Sequence, residues 1–341
     1  MYKFTHVDAF YQVVRFVKKV NADEECPEQY KIRKSVKFRG TVKLHGTNSG
    51  VTHDGLDNSL SAQSRSRVIT PQSDNAGFAA FIAANEKDIR HIFDDLRFKH
   101  SIPASNKLTL FGEWIGPGIQ KGVAINKLPT KQWVLFAAKV TEGEDSSYMD
   151  IVPSLGDSYK DIGIFSIKDS QTWELEVDFN DQISKEKAIV YFDELTKLVE
   201  EECPWAKKFG ISGLGEGIVW KPIEEHWGNS DLFFKTKGQK HKVTEKKSKK
   251  ESLDPEVLKS IEEFVNFSVT ENRLNQGLDY LKEMQLPIER RSTGHYLKWV
   301  ANDIQRECSL ELEDNDLEWK SVAKAVNERA KNFFTEIVTR I

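Results

Sequence analysis

One lysine in the chain has neighbours that suit a covalent nucleophile. The segment around it reads Lys43-Leu44-His45-Gly46-Thr47-Asn48. In an alternating strand Lys43 would face solvent, but a lysine amine becomes a nucleophile where burial or nearby cations favour its neutral form. Gly46 would let the backbone turn closely beside a bound ligand. These six residues are equally typical of a strand end followed by a hairpin turn, so the remaining sequence has to decide between the two interpretations.

Charged residues recur in the same way on other short β-like stretches. They are Arg65, Glu113, Glu216, Lys221, Lys235 and Lys237. Each one alone is typical of an exposed charge on a strand. As a group on one buried β-domain they would be costly unless they shared a ligand. Because cations combined with carboxylates suit a polyanion and a divalent metal, the pattern favours a phosphate-binding site.

Strands and turns dominate the part of the chain that carries these residues. We predict strands over 36–44, 49–52, 60–67, 107–115, 133–140, 215–221 and 232–237, with a hairpin turn at 53–55. Helical spacing of apolar residues predicts one amphipathic helix over 75–96 and another over 185–202. Residues 1–35 carry little signal, and 141–180 are polar and irregular. From 253 to 341 apolar positions recur at helical spacing throughout.

Length and the change of pattern near residue 245 predict two domains. A chain of 341 residues is longer than one typical core supports. We expect an α+β domain with antiparallel sheets over 1–245 and a small all-helical domain over 246–341. Eight lysines lie between residues 235 and 250, and the part from 238 to 250 is typical of a solvated linker.

Composition limits the compartment and the partners. Cys26, Cys203 and Cys308 are far apart, odd in number and without metal-ligand spacing, which favours a reduced intracellular compartment and a cytoplasmic protein. No apolar run approaches the roughly 20 residues of a membrane span. Charged residues interrupt the first part of the chain, so no signal peptide is expected there. The net charge of −4 excludes a chain that is polybasic as a whole, so a nucleic-acid site would be local.

Longer motifs around the charged residues resemble the covalent nucleotidyltransferase superfamily of ligases and capping enzymes. More specifically, the chain resembles the ATP-dependent RNA ligases of the bacteriophage RNA ligase 2 type, which include the kinetoplastid RNA-editing ligases. The motifs that carry the resemblance span residues 43–48, 63–67, 111–121, 134–136, 216–222 and 234–237. The segment 111–121, which reads Phe-Gly-Glu-Trp-Ile-Gly-Pro-Gly-Ile-Gln-Lys, matches almost throughout and is the most specific signal. The motifs follow the family's order and span roughly 36–240.

The resemblance implies a fold, a cofactor set and a partner. The fold would be a nucleotidyltransferase core with ATP-grasp-like antiparallel sheets, followed by a helical domain similar in character to the C-terminal domain of RNA ligase 2. The nucleotide would be ATP, with AMP held covalently on Lys43 and with Mg²⁺, or Mn²⁺, held by Glu216. The partner would be RNA with 5′-phosphate and 3′-hydroxyl ends. We expect a monomeric RNA-repair enzyme of bacteriophage or other viral origin, acting in the host cytoplasm.

The resemblance also implies a role for each site residue. Lys43 would attack the α-phosphorus of ATP, and His45 with Asn48 would serve the later joining steps. Because a lysine at its ordinary pKa near 10.4 is protonated, Lys235, Lys237 and the metal would favour a neutral amine and offset phosphate charge. The other contacts would be phosphate for Arg65 and Lys221, ribose hydroxyls for Glu113, adenine stacking for Phe136, and adenine contacts from the backbone of Val42 and Leu44.

Some positions depart from the family pattern, and other functions stay open. Val42 stands where a glutamate is often found, Ala137 where the phage type has an aspartate, and Ser64 where a second basic residue is common. One alternative is a capping guanylyltransferase or a DNA ligase, although their usual oligonucleotide-binding barrel does not suit the helical pattern of the tail. The other is a non-catalytic RNA-binding relative. The sequence does not distinguish nicked duplex, single-stranded and transfer RNA substrates.

Overall fold

The chain divides into two compact units, each with its own core. The computed structural model describes residues 1–149, 155–238, 261–314 and 317–340. The units are Met1–Gly238, which combines two largely antiparallel sheets with helices, and Gln239–Ile341, whose described residues form helices. The structure therefore has the expected α+β class with a helical C-terminal region. The predicted domain boundary at 245–246 and the lysine-rich stretch from 240 to 250 lie outside the described residues.

Two sheets form the framework of the first unit. Their strands are β1 (Asp8–Ala9), β2 (Val36–Lys43), β3 (Thr47–Asp54), β4 (Ser59–Ser64), β5 (Lys107–Ile115), β6 (Gln132–Glu142), β7 (Asp145–Met149), β8 (Ile164–Ser166), β9 (Thr172–Val177), β10 (Gly217–Pro222) and β11 (Phe234–Lys237). Sheet 1 has the order β1-β11-β10-β2-β9, and sheet 2 has the order β4-β3-β5-β6-β7 with β8 paired to β6. Neighbours are antiparallel except for the parallel pairs β1/β11 and β6/β8.

Helices cover one face of each sheet. They are α1 (Phe10–Ala22), α2 (Phe78–Ala84), α3 (Glu86–His100), α4 (Asp157–Asp161), α5 (Gln182–Glu201) and α6 (Pro204–Lys207). The helices α1 and α5 pack on sheet 1, where Phe192 lies 4.7 Å from Trp220 between ring centroids. The helices α2 and α3 pack on sheet 2, where Phe78 lies 5.5 Å from Trp114. The opposite face of each sheet is not covered by these helices.

The alternation along β2 shows how sheet 1 separates its two faces. Val36, Phe38 and Val42 are almost fully buried in the core under α1 and α5. Lys37 and Lys43 belong to the alternate, half-buried set, because successive side chains of a strand point to opposite faces. The strand therefore carries its lysines on the face away from the helices.

Several predicted elements differ from those observed. The single helix expected over 75–96 is two helices, because the backbone and side chain of Asn85 both donate to the Phe81 carbonyl oxygen and end α2. The polar stretch 141–180 contains β7, α4, β8 and β9, and the stretch 1–35 contains β1 and α1. The turn after β3 is a loop of residues 55–58, longer than the expected Asp-Gly turn.

The second unit is helical in its described residues. Its helices are α7 (Ile261–Ser268), α8 (Glu271–Glu283), α9 (Thr293–Glu307), α10 (Ser309–Asp314) and α11 (Trp319–Arg340). Their shared core includes Leu281, Tyr296 and Phe334. Buried Arg273 on α8 joins Asp303 on α9 through a 2.8 Å ion pair. Across the described parts of the whole chain, every helix is too short or too polar for a bilayer crossing.

Candidate active site

Three adjacent strands of sheet 1 bring the predicted lysines onto one face. Lys43 on β2 and Lys237 on β11 both lie opposite Gly217 on the central strand β10. Two residues along the strands, Lys235 lies opposite Val219. Because strand side chains alternate, residues two apart share a face, so the three lysines project to the same side. The sequence alone does not specify this register.

Glu216, the residue just before β10, is where these cations meet. Its carboxylate lies 2.7 Å from Lys43 Nζ, 3.4 Å from His45 Nδ1 and 3.7 Å from Lys237 Nζ. The Glu216 side chain is only 3% exposed, whereas that of Lys43 is 22% exposed. The structure thus joins four of the predicted site residues in one partly open cluster.

The charges of this cluster determine the state of the carboxylate. Burial by itself would raise the pKa of Glu216, but the charge of Lys43, the hydrogen bond from His45 and the charge of Lys237 hold that pKa well below its ordinary value. Glu216 is therefore ionised near neutral pH. This carboxylate lies 2.7 Å from the amine of Lys43, the predicted nucleophile.

A second carboxylate lies across the turn from the first. Glu113 on β5 is opposite Asn48 on β3, and it accepts a 3.0 Å hydrogen bond from Gly46 N. Burial and the charge of Glu216 raise the pKa of Glu113 to about 7 against the opposing effect of Lys43. Glu113 can therefore change its charge near neutral pH, in contrast to Glu216.

The turn after the lysine is packed against β5. A Cβ atom on Gly46 would collide with the carbonyl oxygen of Trp114, so a glycine is needed for this close approach. Gln120, from the loop after β5, donates to the Gly46 carbonyl oxygen at 3.3 Å. The motif at 111–121 thus supports the lysine-bearing turn. The sequence analysis assigned no role to Gln120, although this residue belongs to the motif at 111–121.

Phe136, the predicted stacking residue, is the extra residue of a β-bulge. Leu135 pairs with Gly112 and Ala137 pairs with Phe111, so Phe136 has no partner residue on β5. A bulge locally bends a strand and redirects a side chain, and such bulges are frequent beside active sites. The Phe136 ring is half-buried and packs beside the core of sheet 1.

Lys221 lies with aromatic rings at the other end of β10. Its Nζ donates to the Phe136 carbonyl oxygen at 2.6 Å and is 5.3–5.4 Å from the ring centroids of Phe4, Phe136 and Phe233. Four strand residues, or roughly 13 Å, separate it from Gly217. The structure therefore places Lys221 beside the stacking candidate, and its expected contact with phosphate stays a prediction.

The remaining predicted residues differ in position. Arg65 is exposed in the turn that follows β4, whereas nearby Arg67 binds the backbone of Ser73 through its guanidinium group. Val42 and Leu44 bury their side chains in the core, which leaves their backbone as the part able to meet a ligand. Sequence reasoning missed Phe4, since the first 35 residues carry no motif that would single out one aromatic side chain.

Among the described residues, a divalent metal ion would have to be held by one or two carboxylates together with water and substrate. In the described ranges no three His, Cys, Asp or Glu side chains are grouped so as to hold a metal ion. Magnesium commonly binds one or two carboxylates and completes its coordination with water and substrate phosphate. The ionised, buried carboxylate of Glu216 fits that pattern.

Comparison with known protein families gives one match, which covers the residues of this site. Residues 36–237, more than half of the chain, match the family model described as RNA ligase. No curated protein sequence matches the chain.

Solved structures give weaker similarities. One is a Naegleria gruberi RNA ligase with PPi, at 19% identity and a TM-score of 0.41, covering 70% of this chain and 56% of that chain. Another is a mutant of that ligase with ATP and Mn, at 18% identity and a TM-score of 0.40, covering 69% and 56%. The matched region is thus little more than half of the Naegleria chain.

Proposed function

The chain belongs to the RNA ligase family, and from this we propose that it is an ATP-dependent RNA ligase of the RNA ligase 2 type. It would join an RNA 5′-phosphate to a 3′-hydroxyl through a lysine–AMP intermediate. The observation that carries the proposal is the cluster of Lys43, His45 and Lys237 around buried Glu216. It combines a nucleophile, a hard oxygen ligand and phosphate-binding cations in one place.

In the first step of this proposal, Lys43 Nζ attacks the α-phosphorus of ATP. A nitrogen–phosphorus bond forms, the bond from the α-phosphorus to the bridging oxygen breaks, and pyrophosphate leaves with the bond electrons. The amine must be neutral to attack, so its ion pair with Glu216 at 2.7 Å has to break first. Lys235 and Lys237 offset charge on the phosphate oxygens.

Glu216 is the proposed ligand of Mg²⁺ or Mn²⁺. Its low pKa keeps a full negative charge available for a hard cation, and it is the most deeply buried member of the cluster. The bound cation would supply charge stabilisation on the phosphate groups. Arg65, exposed in the turn after β4, would contact phosphate.

The nucleoside would lie farther along the same face. Phe136 would stack on adenine, and the backbone of Val42 and Leu44 would meet the base edge. Glu113 would accept hydrogen bonds from the ribose hydroxyls. In this arrangement Lys221, which holds the Phe136 carbonyl oxygen, is a contact at the base end of the site.

The later steps would use RNA as the partner. AMP would pass from Lys43 to the 5′-phosphate of the RNA, and the 3′-hydroxyl of the other end would then displace AMP and form the phosphodiester bond. His45 and Asn48, close to the lysine-bearing turn, would act in these steps. The helical unit and the lysine-rich stretch would bind the RNA backbone.

A labelling experiment tests the proposal. Incubation with α-labelled ATP and Mg²⁺ should attach one AMP to the wild-type chain, while labelled GTP should attach nothing. Lys43→Ala should abolish labelling. Lys37→Ala is the matched control, because Lys37 lies on the same strand and has its own ion pair with Glu224 at 2.9 Å. An unmodified wild-type mass after ATP treatment would refute the proposed first step.

A further inference from the structure

One ring of the aromatic cluster around Phe136 comes from a segment without a predicted role. Phe4 lies edge-to-face with Phe136, and their ring centroids are 5.0 Å apart. Its other ring neighbours are Phe111 and Tyr148 at 5.4 Å and Phe233 at 6.4 Å. The Lys221 amine lies 5.4 Å from its centroid. Phe4 therefore touches both groups that define the base end of the proposed nucleotide site.

Backbone hydrogen bonds hold residues 2–5 over these rings. The Gln63 side chain is 3% exposed; it accepts from Tyr2 N at 3.0 Å and donates to Tyr2 O at 2.6 Å. The backbone N–H of Thr5 donates to the Tyr148 hydroxyl at 2.7 Å. A few residues later, Asp8 pairs with Phe234 in sheet 1. The segment thus connects sheet 1 to the two outer strands of sheet 2, β4 and β7.

The register of sheet 2 shows on which side of Phe136 this ring lies. Glu113 is opposite Val134 on β6, and Phe136 follows two residues later. Tyr148 is opposite Lys139, farther along β6 in the same direction. Since Phe4 contacts Tyr148 and Phe136 together, it lies on the side of Phe136 that faces away from Glu113 and the lysine cluster.

We propose that Phe4 is a positioning residue for the base end of the nucleotide site, where it holds Phe136 and Lys221 ready to receive a purine. The inference rests on the proposed function, since it assumes that a purine nucleotide binds at Phe136. A ring already fixed by its neighbours loses less freedom when a base stacks on it. Edge-to-face packing supplies that restraint on Phe136, and the ring faces favour the Lys221 cation nearby.

Ligands that differ in which end of the site they occupy give the sharpest test. Phe4→Ala should weaken binding of ATP and AMP by the same factor, about tenfold, because both carry the base. Binding of inorganic pyrophosphate should stay unchanged, since it reaches only the phosphate end. Calorimetric titration of the full chain with the three ligands measures both effects.

Matched variants separate positioning from folding. Phe98→Ala removes a phenylalanine ring that is 91% exposed on α3, and it should leave all three affinities unchanged. Phe4→Tyr keeps the ring and should restore ATP binding. If Phe4→Ala fails to fold, Phe4→Leu gives the same comparison with an apolar side chain retained. In adenylylation assays the KM for ATP should rise about tenfold while kcat stays within about twofold.

The possible outcomes distinguish this inference from the proposed function. Tighter ATP binding by Phe4→Ala would mean that Phe4 occupies the base site, and an equal loss for pyrophosphate would mean a general structural role. Either result overturns the positioning role, as does ATP binding equal to wild type in a chain that still becomes adenylylated. A wild-type chain that neither binds ATP nor takes up AMP would overturn both proposals.

Discussion

Glu113 and Glu216 show how two similar side chains acquire different properties a short distance apart. Glu216 is the more buried, yet its cationic partners keep it charged. Glu113 accepts a hydrogen bond from Gly46 N, but burial and the charge of Glu216 raise its pKa to about 7. In the proposed reaction Glu216 needs its charge to hold a metal. Glu113 needs only to accept hydrogen bonds from ribose, which either protonation state allows.

The raised pKa of Glu113 predicts a pH-dependent stability. An unfolded glutamate titrates near 4.5, so between about pH 4.5 and 7 the folded protein binds more protons than the unfolded chain. The free energy of unfolding should therefore fall as pH rises through this interval, by about 3 kcal/mol from this one group. Glu113→Gln keeps an acceptor for Gly46 N and removes the titration. Urea unfolding from pH 4.5 to 8 should show the wild type losing stability relative to this variant.

A second glutamate serves as the control for that measurement. Glu144→Gln removes a carboxylate from an exposed position between β6 and β7, and its stability profile should run parallel to that of the wild type. If Glu113→Gln also runs parallel, the Glu113 carboxylate is not titrating in the folded protein near neutral pH, and its environment is more polar than the structure indicates.

At the scale of elements, strands rich in apolar residues were predicted, whereas a short alternating strand inside a polar region was not. The predicted strand at 36–44 is β2, Val36–Lys43, because its apolar and polar residues alternate cleanly. By contrast, β9 was not predicted, although Trp173, Leu175 and Val177 alternate with polar residues, because the surrounding stretch 141–180 is polar. It pairs along β2 at the edge of sheet 1, and Glu174 faces Arg39 in a 2.9 Å ion pair. A six-residue alternation is too short to stand out within a long polar stretch.

The arrangement of the candidate site could not be predicted from the sequence, because it depends on how distant strands pair. The motifs identify Lys43 and Glu216, which are far apart in sequence, but their 2.7 Å contact depends on the register of β2 against β10. The bulge at Phe136 is visible only when the residues of β5 are matched to their partners on β6. Register and bulges arise from packing between distant segments, so a single strand's pattern does not contain them.

Gly217 lets β10 and β11 approach each other closely. Its φ of +154° is rare for other residues, and a Cβ there would collide with the Thr236 carbonyl oxygen. Gly217→Ala should therefore lower the free energy of unfolding by more than the roughly 1–3 kcal/mol of an unfavourable backbone conformation alone. Because the clash pushes β11 away, Lys237 should also move away from Glu216, and adenylylation should slow. Chemical denaturation and a labelling time course measure the two effects.

A glycine with open space around it isolates the clash. Gly118 has a φ of +77°, and no atom lies within 4 Å of the position that a Cβ would occupy, so Gly118→Ala meets only the backbone penalty. We expect it to cost less stability than Gly217→Ala. Equal losses of stability in the two variants would show that backbone conformation, and not contact with β11, makes Gly217 necessary.

On the scale of the whole molecule, the proposed function requires an acidic protein to bind a polyanionic partner. The net charge is −4, and residues 253–341 contain more acidic than basic side chains. The overall charge therefore does not favour RNA, and the proposed binding would depend on local cations. Two such groups are the lysine face of sheet 1 and the lysine-rich stretch from 240 to 250.

The salt dependence of RNA binding tests the second group. Replacing Lys246, Lys247, Lys249 and Lys250 with glutamine should weaken RNA binding and flatten the plot of log affinity against log salt. The slope should fall by about 0.7 to 0.9 for each phosphate that the variant no longer neutralises, depending on whether the RNA is single- or double-stranded. Filter binding at several salt concentrations measures it. AMP attachment to Lys43 should remain at the wild-type level, because that step requires no RNA.

A charge-matched variant decides whether position or total charge matters. Exposed Lys18, Lys19, Lys87 and Lys99 lie on α1 and α3, and changing them to glutamine alters the net charge by the same amount. If the stretch near 240–250 contacts the RNA backbone, this control should leave the salt slope near the wild-type value. Equal flattening by both variants would instead mean that binding responds to overall charge, because counterion release from a specific contact depends on where the cation lies.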